Sequence, residues 1–175
     1  MAGTTRRREF LSLLGAPVAL AAARPQSPPP PAAARSYKIK LSCNLYSFNA
    51  PLRSGALSLE QAIDFCAELG FDAVDPTGYY FPGHPAVPTD EYLHAIKRRA
   101  FLNGLGVSGT GVRNDFTQPE ADKRAADVAH VRRWIEVAAK LGAPVLRVFD
   151  GRAVAKGPSR EQMTTWVAES FRECA

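Results

Sequence analysis

Residues 134–151 read WIEVAAKLGAPVLRVFDG, and this stretch decides the fold. A helix runs in with Ile135, Ala138, Ala139 and Leu141 along one side. Gly142 is placed to close it, because glycine takes the left-handed conformation without steric cost. Pro144 lacks the amide proton a helix needs, so the chain leaves extended. Residues 145–149, VLRVF, are nearly all apolar, which predicts a short strand buried on both faces of a parallel sheet. Asp150-Gly151 is then a polar turn. Helix, glycine, strand and polar tip recur at residues 68–75 and, more loosely, at 103–109. The period, roughly 35 residues, is that of a repeated βα unit. Ligands of parallel α/β folds sit beyond the carboxyl ends of the strands, so function is sought at the strand tips.

The rest of the chain fits the same scheme. Residues 37–43, YKIKLSC, alternate and predict a first strand that delivers Asn44, Tyr46 and Phe48 into a loop. Ser58 with Gln61 is a capping box ahead of a helix whose inner face reads Leu59, Ala62, Ile63, Cys66 and Leu69. Residues 73–75 predict a second strand, followed by the aromatic loop 76–85. Thr89 opens a second helix with Leu93, Ile96, Ala100 and Phe101 inward and Gly104 at its end. A glycine-rich third strand spans 107–112. A long third helix begins near residues 117–120, with Pro119 in its first turn, and reaches Leu141. Ser159 and Gln162 open a fourth helix with Met163, Trp166, Val167, Phe171 and Cys174 on its apolar face. Four βα units fit an open doubly wound sheet or part of an eight-stranded barrel of about 250 residues. The chain stops inside an apolar helix without a stop signal. The expectation is therefore an incomplete TIM-type (β/α) barrel, with residues 37–175 as its N-terminal half.

Charge is unevenly placed. The 175 residues carry a net +5. Residues 1–36 hold five arginines against Glu9, a net +4, which leaves +1 for the remainder. A near-neutral folded part is no nucleic-acid footprint. Residues 7–11, RREFL, precede an apolar run to Ala23 and resemble a twin-arginine export signal, which implies a periplasmic or extracytoplasmic protein. Residues 1–23 are read as this signal peptide, cleaved near Ala21 or Ala23; an uncleaved anchor is the alternative. Residues 24–36, rich in Pro and Ala, are a semi-rigid linker. Cys43, Cys66 and Cys174 have no paired spacing and read as free thiols.

The candidate site residues are those at the tips. Arg113 could clamp an anion, and Asn114 and Asp115 could fix hydroxyls or merely shape a turn. Arg147 inside an apolar strand has to be paired or at a site, with Asp75 or Asp150 as partner. Asp75 and Asn44 end their strands. Tyr46, Tyr79, Tyr80 and Phe81 either wall a sugar pocket or pack a loop. His94 and His130 sit among charged residues and read as solvated. Residues 104–109, GLGVSG, match the dinucleotide fingerprint by letter but close a helix and enter a strand, the reverse of the required context. No HExxH pair, cysteine cluster, Walker loop or Gly-x-Ser-x-Gly elbow is present.

Three stretches carry a resemblance: DFCAELGFDAVD at 64–75, SGTGVRNDF at 108–116 and AAKLGAPVLRVF at 138–149. Together they resemble the sugar phosphate isomerase/epimerase family, the xylose isomerase-like barrels that also include endonuclease IV-like repair enzymes. The resemblance implies a carbohydrate isomerase or epimerase that moves a proton beside a carbonyl with a divalent metal. It implies a Glu, Asp, His, Glu ligand set from strands five to eight, with two glutamates as the acid/base pair. No residue of this chain matches that set, so the metal is expected only in the whole protein and the chain alone is expected to be inactive. What carries over is a small-molecule carbohydrate pocket walled by Asn44, Tyr46, Asp75, Tyr79, Arg113, Asn114 and Arg147. An endonuclease IV-like hydrolase and a non-catalytic sugar-binding barrel are the alternatives. No nucleic acid and, after signal cleavage, no membrane is expected as a partner; a homo-oligomer is left open. The two free sheet edges lead to the further expectation that the chain pairs or aggregates through them.

Overall fold

The computed structural model describes residues 39–152 and 157–175. The expected signal peptide, the linker and the first two residues of the predicted first strand lie outside them.

Strands and helices alternate. The order is β1 (Ser42–Asn44), α1 (Asn49–Ser54), α2 (Leu59–Glu68), β2 (Ala73–Asp75), α3 (Asp90–Leu102), β3 (Gly106–Val107), β4 (Thr110–Gly111), α4 (Ala121–Leu141), β5 (Leu146–Arg147) and α5 (Arg160–Cys174). All strand pairings are parallel. Cys43 lies beside Val74, and Val74 beside Val107. Gly111 lies beside Arg147. The predicted third strand is split: β3 pairs with β2, the chain steps at Ser108-Gly109, and β4 pairs with β5. A single bridge between Thr77 and Gly111 ties the two sheets together. The result is an arc of parallel strands in chain order backed by helices, an incomplete α/β barrel.

The core lies between this arc and the helices. Its largest fully buried side chains include Trp134, Phe116, Leu45, Ile63, Leu93, Ile96 and Leu141. The capping box at Ser58 is formed in both directions, the Gln61 amide donating to Ser58 Oγ and the Ser58 amide to Gln61 Oε1. Gly70, Gly104 and Gly142 follow their helices at positive φ, as their sequence positions require. Surface pairs link neighbouring helices. Arg99 Nε donates to Asp64 Oδ1 at 2.8 Å, and Lys140 Nζ to Asp90 Oδ1 at 2.6 Å. Such exposed pairs set register more than stability. Among the described residues no helix is long and apolar enough to cross a membrane.

Several expectations are corrected. The first and last strands are shorter than their apolar runs. Val145 is 62% and Phe149 42% exposed, because β5 has a strand neighbour on one side only among the described residues. Leu69, Phe101, Ile135 and Ala139 face outward. The buried stripe of α4 is instead Val128, Val131, Trp134, Val137, Ala138 and Leu141. Pro119 stands before the cap residue Glu120, outside the first turn. At Ser159 only the serine half of the box forms. The apolar face of α5 is only partly covered, with Phe171 exposed. His130 is buried, not solvated, because it follows Val128 onto the inner face of α4. Cys43 and Cys66 are buried free thiols, whereas Cys174 is half-buried.

Candidate functional site

The parallel register brings the tips together. Asn44 is opposite Asp75, one residue past the Cys43–Val74 pair. Arg147 reaches across from β5 and donates from Nη1 to Asp75 Oδ2 at 2.6 Å. Asp150, the other carboxylate considered, is not its partner. The approach depends on glycine. A Cβ on Gly111 would lie 2.5 Å from Arg147 Nη2, so no other residue leaves room for the guanidinium. A Cβ on Gly78 would meet the Gly111 carbonyl at 2.6 Å and the Trp134 ring at 2.8 Å. Gly111 thus gives the Arg147 side chain its room, while residues 104–109 leave α3 and enter β3, the reverse of the strand-to-helix context of a nucleotide loop.

Asn44 bonds through both ends of its amide. Its Nδ2 donates to Asp75 Oδ2 at 3.2 Å. Its Oδ1 accepts from the Tyr46 amide at 2.9 Å and from Thr77 Oγ1 at 3.3 Å. The first of these caps a short 3₁₀ turn at residues 45–48, which presents Tyr46. Thr77, fully buried, is a member of the network that sequence reasoning missed. Its signal was its place two residues past a strand tip. Asp75 Oδ1 is buried and has no hydrogen-bond partner among the described residues.

Asn114 acts as a backbone clamp. Its Nδ2 donates to the Phe149 carbonyl at 2.6 Å, and its Oδ1 accepts from the Phe149 amide at 2.9 Å. It thereby continues the β4–β5 pairing after the ladder ends. Asp115 shapes the turn, accepting from the Thr117 amide at 3.0 Å and from Thr117 Oγ1 at 2.6 Å. Arg113 is exposed and lies over the Tyr79 ring at 5.7 Å, a cation–π distance. Tyr46 and Tyr79 meet edge to face at 6.2 Å. Burial, then the neighbouring Tyr46, raises the Tyr79 hydroxyl, so it is a neutral donor at physiological pH.

These residues surround one cavity of about 450 Å³. Asn44, Tyr46, Tyr79, Arg113, Asn114 and Arg147 all line it, while Asp75 holds Arg147 from behind. Ser47, Phe149 and Arg152 complete the wall, and none of these three was legible as a site residue. Tyr80 and Phe81 do not line it. Tyr80 donates to Asn49 Oδ1 at 2.8 Å, and Phe81 packs on Trp134 in the core. The volume suits a monosaccharide-sized ligand. Among the described residues no three His, Cys, Asp or Glu side chains cluster to hold a metal ion. No Asp, Glu, His or Cys lines the cavity, which carries three arginines instead, so the donor set among the described residues does not fit a divalent cation.

No curated protein matches the chain in sequence. Solved structures match it in fold. A protein of Sinorhizobium meliloti 1021 is 25% identical with a TM-score of 0.57, over 77% of this chain and 44% of that one. A D-psicose 3-epimerase from Clostridium cellulolyticum H10, solved with D-tagatose, is 17% identical with a TM-score of 0.60, over 78% and 47%. A putative xylose isomerase from Rhodospirillum rubrum is 20% identical with a TM-score of 0.61, over 78% and 49%. The chain thus spans about half the length of the structures it matches. Residues 63–175 match the family described as xylose isomerase-like TIM barrel. With that match over most of its length, and with an arc of parallel βα units beneath its tip cavity, the chain belongs to the xylose isomerase-like TIM barrel family.

Proposed function

We propose that the chain supplies the substrate-recognition side of a carbohydrate isomerase or epimerase that transfers a proton at the carbon beside a carbonyl. One observation carries this reading: six tip residues line a single cavity of about 450 Å³ whose polar groups are mostly hydrogen-bond donors. A sugar offers acceptor oxygens on its edge and C–H groups on its faces. Tyr46 and Tyr79 supply the flat walls, and Arg147 and Arg113 supply donors. Asp75 fixes Arg147, and Asn44 fixes both Asp75 and the Tyr46 turn. Asn114 holds the β5 tip at the cavity rim.

The residues that move the proton, and the divalent metal the family implies, belong to the proposal for the whole protein. No proton-transfer role is assigned to a residue of this chain. Export by the twin-arginine route is part of the same proposal and rests on Arg7-Arg8-Glu9-Phe10-Leu11.

The test is solvent exchange. Incubation of the metal-loaded whole protein, rather than of this chain alone, with ketohexoses and aldohexoses in deuterated water, followed by NMR, is expected to show deuterium entering the carbon beside the carbonyl. Arg147→Met is expected to abolish it. No exchange with any monosaccharide would overturn the reading.

A further inference from the structure

Cys43 and Cys66 stand 23 residues apart in sequence and meet in the hydrophobic core. Cys43 is the middle residue of β1, opposite Val74 of β2. Cys66 belongs to the buried stripe of α2, with Leu59, Ala62 and Ile63. The two thiols are neighbours: that of Cys66 interacts directly with that of Cys43. Cys43 Sγ donates to the Asn44 carbonyl at 3.7 Å, a weak bond that one side-chain rotation gives up. Their reactivity differs. Burial, then the Cys43 thiol beside it, pushes the Cys66 thiol up to about 12, so Cys66 keeps its proton in the folded chain. Cys43 is 9% exposed where Cys66 is fully buried. It also sits on a strand of three residues that has a strand neighbour on one side only among the described residues. Such a strand opens locally at low cost, which brings Cys43 to solvent first.

We propose that Cys43 and Cys66 are a disulfide-forming pair, and that the bridge, made when the chain meets a disulfide oxidant, staples β1 to α2. The chemistry is thiol–disulfide exchange. Cys43 Sγ, as a thiolate, attacks one sulfur of the oxidant's disulfide and releases the other as a thiol. Cys66 Sγ then gives its proton to solvent, attacks Cys43 Sγ in the mixed disulfide and releases the second thiol. Two thiols of the chain are oxidised and one disulfide of the oxidant is reduced to two thiols, so two electrons and two protons are transferred. The bridge ties down the strand that carries Asn44, and Asn44 in turn holds the Tyr46 turn. Cys174, in α5, is the third cysteine and stays a thiol. The export proposed above would place the pair in an oxidising compartment, where disulfides persist.

The experiment is oxidation of the full chain with glutathione disulfide. The reaction is quenched in acid, the chain alkylated in denaturant, and the product weighed. One alkylated thiol is expected, against three in the reduced chain. A non-reducing digest is expected to yield a peptide that links Cys43 to Cys66. Reducing the bridged chain is expected to lower Tm by about 10 °C, because closing a loop of this length removes entropy from the unfolded chain. Cys66→Ala is expected to abolish both the linked peptide and the Tm drop. The mass count on the unaltered chain decides the question even if that variant fails to fold. Three alkylated thiols after oxidation, glutathione adducts without a Cys43–Cys66 link, or a link through Cys174 would each overturn the pairing. A Cys43–Cys66 bridge whose reduction leaves Tm unchanged would overturn the staple.

Discussion

Arg147 and Asp75, 72 residues apart in sequence, meet at 2.6 Å at the tips of β5 and β2. The two strands are not paired with each other; β2 pairs with β1 and β3, and β5 with β4. The pair is partly sheltered, with side-chain exposures of 35% for Arg147 and 16% for Asp75. Removing one partner leaves the other charge without compensation in a site that water reaches only in part. Arg147→Met is therefore expected to cost about 1–2 kcal/mol of stability, below the value for a fully buried pair because the arginine is a third exposed. A double-mutant cycle with Asp75→Asn in chemical denaturation measures the coupling. A coupling near zero would show that the pair is solvated.

Gly111→Ala tests the groove. The new Cβ would sit on the guanidinium, so Arg147 has to swing away from Asp75. The expected outcome is a loss of ligand affinity comparable to that of Arg147→Met, with a modest fall in Tm. Gly78→Ala meets backbone and an indole ring, neither of which yields easily, and is expected to cost about 1–3 kcal/mol. Thermal melts of both variants, set beside their sugar titrations, separate the two effects. Equal stability loss with unchanged affinity in Gly111→Ala would mean that the groove does not place Arg147 for binding.

Stability is expected to fall in mild acid. His84 and His130 approach to 5.8 Å between ring centroids. Burial lowers the His84 pKa, followed by the charge of His130 and then of Arg113. Burial also lowers that of His130, helped by Arg133 and opposed by Asp127. Both rings are thus neutral in the folded protein where unfolded histidine, near 6.5, starts to take up protons. The unfolded chain binds more protons below that pH, so the stability from these groups is present above about 6.5 and lost as pH falls toward the depressed values. Tm measured from pH 7.5 to 5 is expected to decline, and His84→Phe with His130→Leu to flatten the decline. An unchanged slope would contradict the assignment.

The βα repeat was legible because glycine stops and apolar runs are local signals. So were Ser58–Gln61 and the helix ends at Gly70, Gly104 and Gly142. The split of the third strand was not, because it depends on which neighbour each half pairs with, β2 for Val107 and β5 for Gly111. The tip residues were legible as a group from their place after strands. Their division of labour was not. Asn44 and Asn114 read as ligand contacts, yet their amides bond Asp75, Thr77 and Phe149. Asn is equally suited to both tasks, and only the distance to a backbone 35 residues away decides between them. Asn49, which accepts from the Tyr80 hydroxyl, escaped notice because α1 lies in what reads as loop.

The edges give a prediction about association. β1 and β5 each have a strand neighbour on one side only among the described residues. Ile39, Leu41, Val145 and Phe149 near them are exposed. Light scattering on the purified chain is expected to show dimers or larger species whose mass grows with concentration. A monomer at all concentrations would refute this.

Export has its own test. Replacing Arg7 and Arg8 together with Lys is expected to leave the protein in the cytoplasmic fraction. Processed protein reaching the periplasm in undiminished amount would exclude the twin-arginine route.

The most direct test of the central claim, that the strand tips form a carbohydrate site, is a ¹H–¹⁵N correlation titration of the chain with D-fructose. Shifts are expected at Tyr46, Ser47, Tyr79, Arg113 and Phe149, and to vanish in Arg147→Met. No shifts at saturating sugar, or shifts confined to the opposite ends of the strands around Gly106 and Val145, would contradict it.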